Sequence, residues 1–466
     1  MIFLHTDDKL YSLDDAIKLD RRQIRELHKN YGNASLTGML ALLGFDKHFV
    51  RARDVSVWDS EGKEYLDFLG AYGALNLGHN HPAVLAALEK VREMPNLLQA
   101  SLNPLAGALA HNLALLTPGG LQRCFFGNSG AEAVEGALKL ARIATGREEI
   151  IYCRDSFHGK TFGALSVTGR TKYQEPFKPL LPGCAAVPFG DLKALEKALR
   201  PGRAAAFIVE PVQGEGGIIL PPPGYLSGAR ELCTRHGALF IADEIQTGFG
   251  RTGHLFACEA EQVEPDVICL AKSLGGGVMP VGAFITTDAI WKKAYGSMEK
   301  ALLHTSTFGG NTLAAAAALA ALEVITGENL AARARENGAY FLEKLKGLQE
   351  MFPLLKEVRG RGLMIGLEFN QPGGLADKAS FGLAGKLAGE YMGSLVAGEL
   401  LNDHGIITAY TLNNPNVIRL EPPLTVTRAQ IDRVLAALQD ILTKHKGFLS
   451  MAAGGVKTVF KSLTGK

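Results

Sequence analysis

Short, uninterrupted apolar runs recur through the middle of the chain, and they constrain the fold more than any other feature of the sequence. Runs of this length are typical of strands that are buried on both faces, which requires helices on both sides of the sheet. Helix-forming stretches separate the runs, as in AEAVEGALKLARIATG, which ends on a glycine suited to a helix C-cap. The pattern predicts an α/β fold with a mostly parallel sheet. The runs are RCFF (123–126), EIIYC (149–153), AAAFIVE (204–210), ALFIADE (238–244), DVICLA (266–271) and VGAFIT (281–286).

The two ends of the chain differ from this middle part. A helical stretch, LAARARENGAYFLEKLKGLQ, leads to KEVRGRGLMIGLEF and VIRLEPPLTVT, which predicts a small α+β domain with its own sheet. Chain termini often lie together, so we expect the N-terminal segment to join that domain. The Gly-, Ala- and Leu-rich stretch 371–400 predicts an added helix. The predicted limits are 1–60 for the N-terminal arm, 61–325 for the large domain, 326–445 for the small domain and 446–466 for a basic, flexible tail.

Composition excludes several classes of protein. Forty-nine basic and 47 acidic residues give a net charge of only +2, so there is no electrostatic case for nucleic-acid binding. No apolar stretch reaches the roughly 20 residues of a membrane helix, and we expect no integral membrane association. The six cysteines are scattered within apolar runs without any C-x-x-C pair, which predicts buried thiols, no metal site and a cytoplasmic location.

Charged side chains stand at the ends of two predicted strands. Lys272 ends the run DVICLA just before the glycines 275–277, and Asp243 ends ALFIAD. A buried lysine is costly while it stays charged and unpaired, so Lys272 is either an exposed strand cap or a neutral, reactive amine. Asp243 either caps the next turn or faces a cationic partner, with Gln246 three residues further on. Parallel strands carry their C-terminal ends to one ligand-binding edge, where these groups would meet.

The stretch FFGNSGAEAVEGALKLAR resembles an anion site. A strand ends at its start, and Gly127 to Gly130 precede a helix whose first N–H groups are free to bind a phosphate. A plain strand–turn–helix connection has the same appearance, and the stretch is not a nucleotide P-loop. A lysine, a carboxylate and a phosphate cradle at one sheet edge are the three groups that pyridoxal phosphate requires.

Seven motifs then show a resemblance that covers about residues 50–440. They occur in the order NSGAEA, SFHGKT, EPVQGEGG, ADEIQTGFGRTG, LAKSLGGG, HTSTFGGN and VIRLEPPLT. This order is similar to that of the class III aminotransferases, which are pyridoxal-phosphate enzymes of fold type I. The resemblance implies a large domain with a mostly parallel seven-stranded sheet between helices, a small α+β domain built from the N- and C-terminal segments, and a homodimer with shared active sites.

The resemblance also implies which residues bind the cofactor, pyridoxal 5′-phosphate. Gly130 and Ala131, with Ser129 beside them, match backbone phosphate ligands. Thr307 matches a phosphate ligand that the neighbouring subunit supplies. Lys272 matches the lysine that forms the Schiff base and acts as general base.

Further positions match the surroundings of the cofactor ring. Phe157 resembles the aromatic residue that stacks on the ring, with His158 next to it, although packing in the core would also explain Phe157. Glu210 resembles a carboxylate near the ring. Asp243 matches the partner of the pyridine nitrogen, and Gln246 the ligand of the ring hydroxyl.

Two charged residues match substrate-binding positions of the family. Arg419 resembles the arginine that grips the α-carboxylate of glutamate, for which a planar guanidinium is suited. Glu215 resembles the glutamate that pairs with this arginine when a substrate lacks an α-carboxylate, although a generic surface carboxylate is the alternative. The pair would let one site serve an ω-amino donor and 2-oxoglutarate.

The stretches ILPPPGYL, GGGVMPVGAF, LLHTSTFGGN and TLNNPNVIRLEPPLTVT resemble the subgroup that transfers the terminal amine of a diamine such as putrescine to 2-oxoglutarate. The products of that reaction are glutamate and 4-aminobutanal, which cyclises to 1-pyrroline. The stretch from about 371 to 406 and the tail after 446 depart from this subgroup. Ornithine, acetylornithine and other ω-amino acid aminotransferases share the catalytic motifs and stay open as alternatives.

Three other classes of protein agree less well with the sequence. A nicotinamide dehydrogenase would need a G-x-G-x-x-G turn between a strand and a helix, followed by an acidic residue about 20 positions later. A non-catalytic binding protein would be expected to lack Lys272, Asp243 or Arg419, all of which are present. A mutase or decarboxylase on the same fold would not consume 2-oxoglutarate stoichiometrically, so an assay with this acceptor distinguishes it.

Overall fold

The structure is a computed structural model that describes residues 10–98, 100–370, 383–446 and 451, with only the backbone for 383–390. The strands are β1 Phe49–Arg53, β2 Ser56–Asp59, β3 Glu64–Asp67, β4 Leu121–Gly127, β5 Glu149–Cys153, β6 Cys184–Val187, β7 Ala204–Val209, β8 Leu239–Asp243, β9 Val267–Leu270, β10 Gly282–Thr287, β11 Leu355–Arg361, β12 Met364–Phe369, β13 Ile406–Ile407, β14 Ala409–Tyr410 and β15 Val417–Leu420. The α-helices of two turns or more span Arg21–Tyr31, Ala34–Leu42, Pro82–Lys90, Pro104–Leu116, Gly130–Thr145, Leu192–Leu199, Tyr225–His236, Asp288–Tyr295, Thr312–Gly327, Leu330–Met351, Leu383–His404 and Arg428–Lys444. Shorter α-helical segments lie at Leu13–Ile17, Gly70–Gly73, Phe162–Ser166 and Thr171–Gln174.

A seven-stranded sheet forms the centre of the molecule, in the order β4-β10-β9-β8-β7-β5-β6. Its strands are parallel except β10, which runs antiparallel to both of its neighbours. All six predicted runs are strands of this sheet, and the prediction of a mostly parallel, seven-stranded α/β fold is confirmed. The seventh strand, β6, is short, lies at the sheet edge and is partly exposed, so its sequence CAAV carries little hydrophobic signal.

The helix Gly130–Thr145 packs on one face of this sheet. Its N-cap is Ser129, whose side chain accepts a hydrogen bond from Glu132 N, and its C-cap Gly146 has a φ of 66°. Its buried face is mostly alanine, valine and leucine, and it packs against apolar side chains of the sheet. The predicted helix and its glycine C-cap are therefore confirmed, and the cap fixes where the helix N-terminus meets the sheet edge.

Two four-stranded sheets lie beside the large one. The antiparallel sheet β11-β12-β15-β14 comes from the C-terminal part of the chain. The other, β1-β2-β3-β13, joins N-terminal strands to β13 through the parallel pairing of Leu66 with Ile406. The two ends of the chain thus share a sheet, while the domain limits given above stay a prediction.

Two expectations from the sequence fall partly outside the described residues. The expected added helix of 371–400 is described only from residue 383, in the helix Leu383–His404. Of the tail after 446, only residue 451 is described.

Among the described helices, no single one is both long and apolar enough to cross a membrane. The adjoining pair Thr312–Gly327 and Leu330–Met351 passes that test jointly by length and composition, with a bend of 60° between them.

Candidate active site

A cavity of about 500 Å³ opens at the C-terminal ends of the parallel strands. All the residues that the sequence assigns to the cofactor within one chain line this cavity, although they come from five separate segments. We call this group the cofactor wall: Ser129, Gly130, Ala131, Phe157, His158, Glu210, Asp243, Gln246 and Lys272. The strand ends meet here because parallel strands deliver their carboxyl ends to one sheet edge.

The loop before the helix Gly130–Thr145 forms one end of the cavity. The first N–H groups of a helix have no partner within it, so they are available to an anion. Strand β10 passes very close to this loop, since a Cβ atom added to Gly282 would lie 2.1 Å from Ser129 O. Only glycine fits at that position, and this contact fixes the loop against the sheet.

Asp243, at the end of β8, is held by His158. Asp243 Oδ2 lies 2.7 Å from His158 Nδ1, and Asp243 Oδ1 accepts a hydrogen bond of 3.1 Å from Ile245 N. His158 Nε2 is buried and has no hydrogen-bond partner among the described residues. The sequence placed His158 at the cofactor, and the structure adds a direct contact with the carboxylate that would face the ring nitrogen.

Glu210 accepts hydrogen bonds from two backbone N–H groups that border the cavity. Its Oε1 lies 2.8 Å from Phe157 N and its Oε2 lies 3.0 Å from Gly214 N. Burial, helped by the negative charge of Asp243 and opposed by His158, raises the pKa of Glu210 to about 7. Glu210 therefore ties Phe157 to the loop that carries Glu215.

Lys272 follows β9 by two residues and has an unusual backbone. Its φ is 50°, in the left-handed region, which costs a non-glycine residue on the order of 1–3 kcal/mol. Burial and the Arg419 cation lower the pKa of Lys272, outweighing the opposite effect of Glu421 and Glu215. The two interpretations of Lys272 left by the sequence are thus separated, because it lines the cavity with an amine that is more easily neutral.

A second group of charged residues, contributed mainly by the small antiparallel sheet, lies beside the cofactor wall and outside the set of described residues that line the cavity. We call it the substrate wall: Glu215, Arg419 and Glu421. Arg419 lies on β15 with an exposed fraction of 0%. Its Nη2 is 2.6 Å from Glu215 Oε2, its Nη1 is 3.4 Å from Glu421 Oε2, and its Cζ lies 5.1 Å from the centre of the Tyr72 ring.

The Nη2 atom of Arg419 faces Glu215 Oε2 at 2.6 Å, so Glu215 occupies this edge of the guanidinium. The neighbouring Nε is buried and has no hydrogen-bond partner among the described residues. Burial would lower the pKa of Arg419, but Glu215 and Glu421 raise it, and the guanidinium stays charged. Two parallel donors on one edge suit a carboxylate.

Glu215 is a buried partner of Arg419 and not a surface carboxylate. Its Oε2 also accepts a hydrogen bond of 2.8 Å from Leu412 N. Burial would raise the pKa of Glu215, but Arg419, the Leu412 N–H group and Lys272 together lower it. The predicted pairing of Glu215 with Arg419 is therefore present in the structure.

Glu421 is a residue of the site that the sequence interpretation missed. It is fully buried, and its carboxylate accepts hydrogen bonds from Gln246 Nε2 at 2.8 and 3.0 Å. A signal for it existed, because Arg419 and Glu421 are two positions apart and side chains alternate between the faces of a strand. Gln246, expected at a ring hydroxyl, lines the cavity and joins the two walls through Glu421.

Thr307 is exposed, and it lies outside the set of described residues that line the cavity. Its neighbour Ser306 accepts a hydrogen bond of 3.1 Å from Asn128 Nδ2, in the loop of the predicted phosphate site. Within one chain, Thr307 thus follows a residue that contacts this loop without lining the cavity itself.

Comparison with known proteins identifies the family. Residues 45–442 match the family described as Aminotransferase class-III. A putrescine aminotransferase of Pectobacterium atrosepticum is 45% identical over 399 residues, covering 84% of this chain and 81% of that protein. Aminotransferase PigE of Serratia sp. is 38% identical over 95% of this chain, but the chain spans only 56% of its length.

Solved structures agree with this assignment. The ornithine aminotransferase of Toxoplasma gondii superposes with a TM-score of 0.81 at 33% identity, covering 95% of this chain and 98% of that one. Another crystal structure of that enzyme has pyridoxal phosphate at partial occupancy in its active site. The family match, the fold and the cavity agree, and this chain belongs to the class III aminotransferases, whose cofactor is pyridoxal 5′-phosphate.

Proposed function

We propose that this enzyme transfers the terminal amino group of a diamine such as putrescine to 2-oxoglutarate, giving 4-aminobutanal, which cyclises to 1-pyrroline, and glutamate. The observation that carries the proposal is the buried Arg419, whose Nη2 is paired with Glu215 at 2.6 Å and whose Nε has no partner among the described residues. A site of this kind accepts an α-carboxylate at the arginine and, while Glu215 neutralises it, a donor without one. The similarity to the Pectobacterium putrescine aminotransferase supports the choice of donor.

The cavity fits the cofactor. The phosphate would lie at the N–H groups of Gly130 and Ala131, beside Ser129, and Phe157 would stack on the ring. His158 Nε2 is buried and has no hydrogen-bond partner among the described residues, so it is available to form a hydrogen bond at this site. When bound, pyridoxal phosphate supplies an electron sink for the carbon that loses a proton.

Each residue of the cofactor wall has a proposed task in the transfer. Lys272 would hold the cofactor through its amine until the donor's amine displaces it, and the freed Nζ would then remove the proton from the carbon that carries the donor's amine. Burial favours the neutral amine that this step requires. Asp243, held by His158, keeps a proton on the ring nitrogen, while Glu210 holds Phe157 in place through its backbone N–H group.

Arg419 and Glu215 are proposed to act as a charge switch between the two substrates. With the diamine, Glu215 stays on Arg419, so that no buried cation is left unpaired. With 2-oxoglutarate or glutamate, Glu215 moves away and the α-carboxylate takes its place on Arg419. One cavity then serves two substrates of opposite charge.

Ornithine is the second candidate donor, with N-acetylornithine and ω-amino acids as related alternatives. The observation in its favour is the close superposition on the Toxoplasma gondii ornithine aminotransferase. Ornithine also carries a terminal amine, so the same cofactor wall would serve it.

A panel of half-reactions decides between these donors. The holoenzyme is mixed with putrescine, cadaverine, ornithine, N-acetylornithine, 4-aminobutyrate or glutamate, and the change in cofactor absorbance is followed in a single turnover. We expect putrescine to give the highest second-order rate constant among the amine donors, and 2-oxoglutarate to restore the original spectrum. A faster reaction with ornithine or N-acetylornithine would replace putrescine as the donor.

We further propose a homodimer in which Thr307 binds the cofactor phosphate of the neighbouring subunit. Its exposed position away from its own cavity is compatible with this role, which rests on the resemblance of HTSTFGGN to the family's loop. Mixing Lys272→Ala and Thr307→Ala subunits would produce heterodimers with one intact and one doubly altered site. Recovery of activity in mass-verified heterodimers supports sharing, and its absence contradicts it.

We also propose a cytoplasmic location. All six cysteines have free thiols, and four of them are buried, as is usual in a reducing compartment. Fractionation of the native cells followed by immunodetection would test this, and recovery of the enzyme outside the cytoplasmic fraction would contradict it.

A further inference from the structure

Glu421 connects Arg419, which would bind the substrate carboxylate, to Gln246, which lines the cofactor cavity. Its Oε2 lies 3.4 Å from Arg419 Nη1 and 3.0 Å from Gln246 Nε2, while its Oε1 lies 2.8 Å from the same Gln246 nitrogen. The side chain is fully buried, so its charge acts through protein and not through solvent.

The two carboxylates on Arg419 are held differently. Glu421 is the first residue after β15, its N–H group donates to Phe68 O at 2.7 Å, and Pro422 and Pro423 follow it. Its carbonyl packs against Gly70, where an added Cβ atom would lie 2.4 Å away. Glu215 lies in the loop between β7 and the helix Tyr225–His236, and it accepts hydrogen bonds from Leu412 N and Asn413 N of another loop. Glu421 follows a strand directly and accepts hydrogen bonds on both carboxylate oxygens from Gln246, so we treat it as the fixed carboxylate of the pair.

The charges around Arg419 indicate how Glu421 affects the binding of anionic substrates. Arg419 contributes one positive charge, and Glu215 and Glu421 contribute two negative ones. Counted over these three residues, the substrate wall carries an excess negative charge while Glu215 is in place. When a substrate carboxylate takes the place of Glu215, Glu421 still opposes Arg419, so the site holds anionic ligands less strongly than an arginine with a single switching partner would.

We propose that Glu421 is a specificity residue, which biases the donor site toward substrates with a distal ammonium and against those with a distal carboxylate. The inference rests on the proposed function, since it describes how the same site selects its donor. The effect should have opposite signs for the two kinds of donor, because one unit of negative charge attracts the first and repels the second.

The test uses Glu421→Gln holoenzyme and two donors matched in length. Putrescine and 4-aminobutyrate both have four carbons and a reacting terminal amine, but one ends in an ammonium and the other in a carboxylate. In single-turnover measurements we expect the ratio of their second-order rate constants to shift toward 4-aminobutyrate by about tenfold or more. A donor that is not turned over is scored as a competitive inhibitor of the other.

Two further variants separate charge from structure. Glu421→Asp keeps the charge and should keep most of the wild-type selectivity. Glu368→Gln removes a carboxylate of the same small sheet that pairs with Lys356 and Arg359, and it should leave the ratio unchanged. Equal losses for both donors in Glu421→Gln, or an unchanged ratio, would overturn the proposal.

The outcome is distinguishable from failure of the proposed function. If wild-type enzyme prefers ornithine to putrescine, the assignment of the donor fails, yet the shift between putrescine and 4-aminobutyrate is still measured through reaction or inhibition. If neither compound reacts with or inhibits the wild-type enzyme, the claim about selectivity is overturned as well.

Discussion

Lys272 of the cofactor wall and Arg419 of the substrate wall are two interior basic residues, and their environments shift their pKa values in opposite directions. The pKa of Lys272 is lowered, chiefly by burial, whereas that of Arg419 is raised because two carboxylates outweigh its burial. The cofactor wall thus contains an amine, that of Lys272, whose neutral form is favoured. The substrate wall contains a guanidinium, that of Arg419, which stays charged and is paired with carboxylates. Both pKa shifts arise from the surroundings of the side chains in the fold, since lysine and arginine are both basic residues in the unfolded chain.

This difference has a consequence for kinetics. Residues of the cofactor wall serve the chemistry of both substrates, so changing them should slow both half-reactions equally. Residues of the substrate wall distinguish one substrate from the other, so changing them should slow the half-reactions unequally. Measuring the two half-reactions separately is therefore the way to test the comparison.

The largest effect is expected at Lys272. In the proposed mechanism Lys272→Ala would remove both the covalent link to the cofactor and the base, so both half-reactions should be abolished while some pyridoxal phosphate still binds at the proposed phosphate site of Gly130 and Ala131. Borohydride reduction of the wild-type holoenzyme followed by peptide mapping should find the label on Lys272. Label on another lysine would contradict its role.

Asp243→Asn should come next. A neutral partner cannot stabilise the protonated ring nitrogen, so both half-reactions should slow by about two to four orders of magnitude. The contact with His158 can persist in this variant, and circular dichroism should show an unchanged fold. A single half-reaction slowed alone would break the division into two walls.

Arg419→Ala and Glu215→Ala should give unequal losses in opposite directions. Losing a desolvated bidentate pair costs ~2–5 kcal/mol, so Arg419→Ala should slow the 2-oxoglutarate half-reaction about 30-fold to several-thousand-fold and the diamine half-reaction far less. Glu215→Ala should chiefly slow the diamine half-reaction, since Arg419 then keeps an uncompensated charge. Equal losses for both substrates would exclude a switch.

The smallest effect is one on stability and concerns Glu210. Its pKa is about 7 in the folded protein, against 4.5 as the ordinary value, so the folded state binds this proton more tightly. Its stabilising contribution is complete below pH 4.5 and is lost as the pH rises toward and through 7, by on the order of 3 kcal/mol. Urea unfolding of the apoenzyme should show this decline in wild type, relative to Glu210→Gln. Parallel curves for the two proteins would contradict the raised pKa.

Local sequence was sufficient for part of the cofactor wall, whereas Phe157, His158 and Glu210 were assigned by family resemblance. An apolar run ending in Asp243, another ending just before Lys272, and a glycine turn before a helix are each visible within about ten residues. One rule then brings them together, because every parallel strand of an α/β sheet delivers its carboxyl end to the same edge. The edge strand β6 was not predicted, because the prediction of strands relied on apolar runs and this short, partly exposed strand has none.

The substrate wall was decided by the tertiary structure. Glu215 comes from a loop of the large sheet, while Arg419 and Glu421 come from a different, antiparallel sheet about 200 residues later in the chain. Family resemblance indicated the first two, but no local pattern shows that Glu421 is buried or that it contacts Gln246, 175 residues away. The sequence determined which chemistry the strand ends would carry, because that follows from short-range periodicity and the geometry of a parallel sheet. How many carboxylates surround Arg419, and which of them is fixed, depends on the packing of two sheets against each other, and only the folded chain decides it.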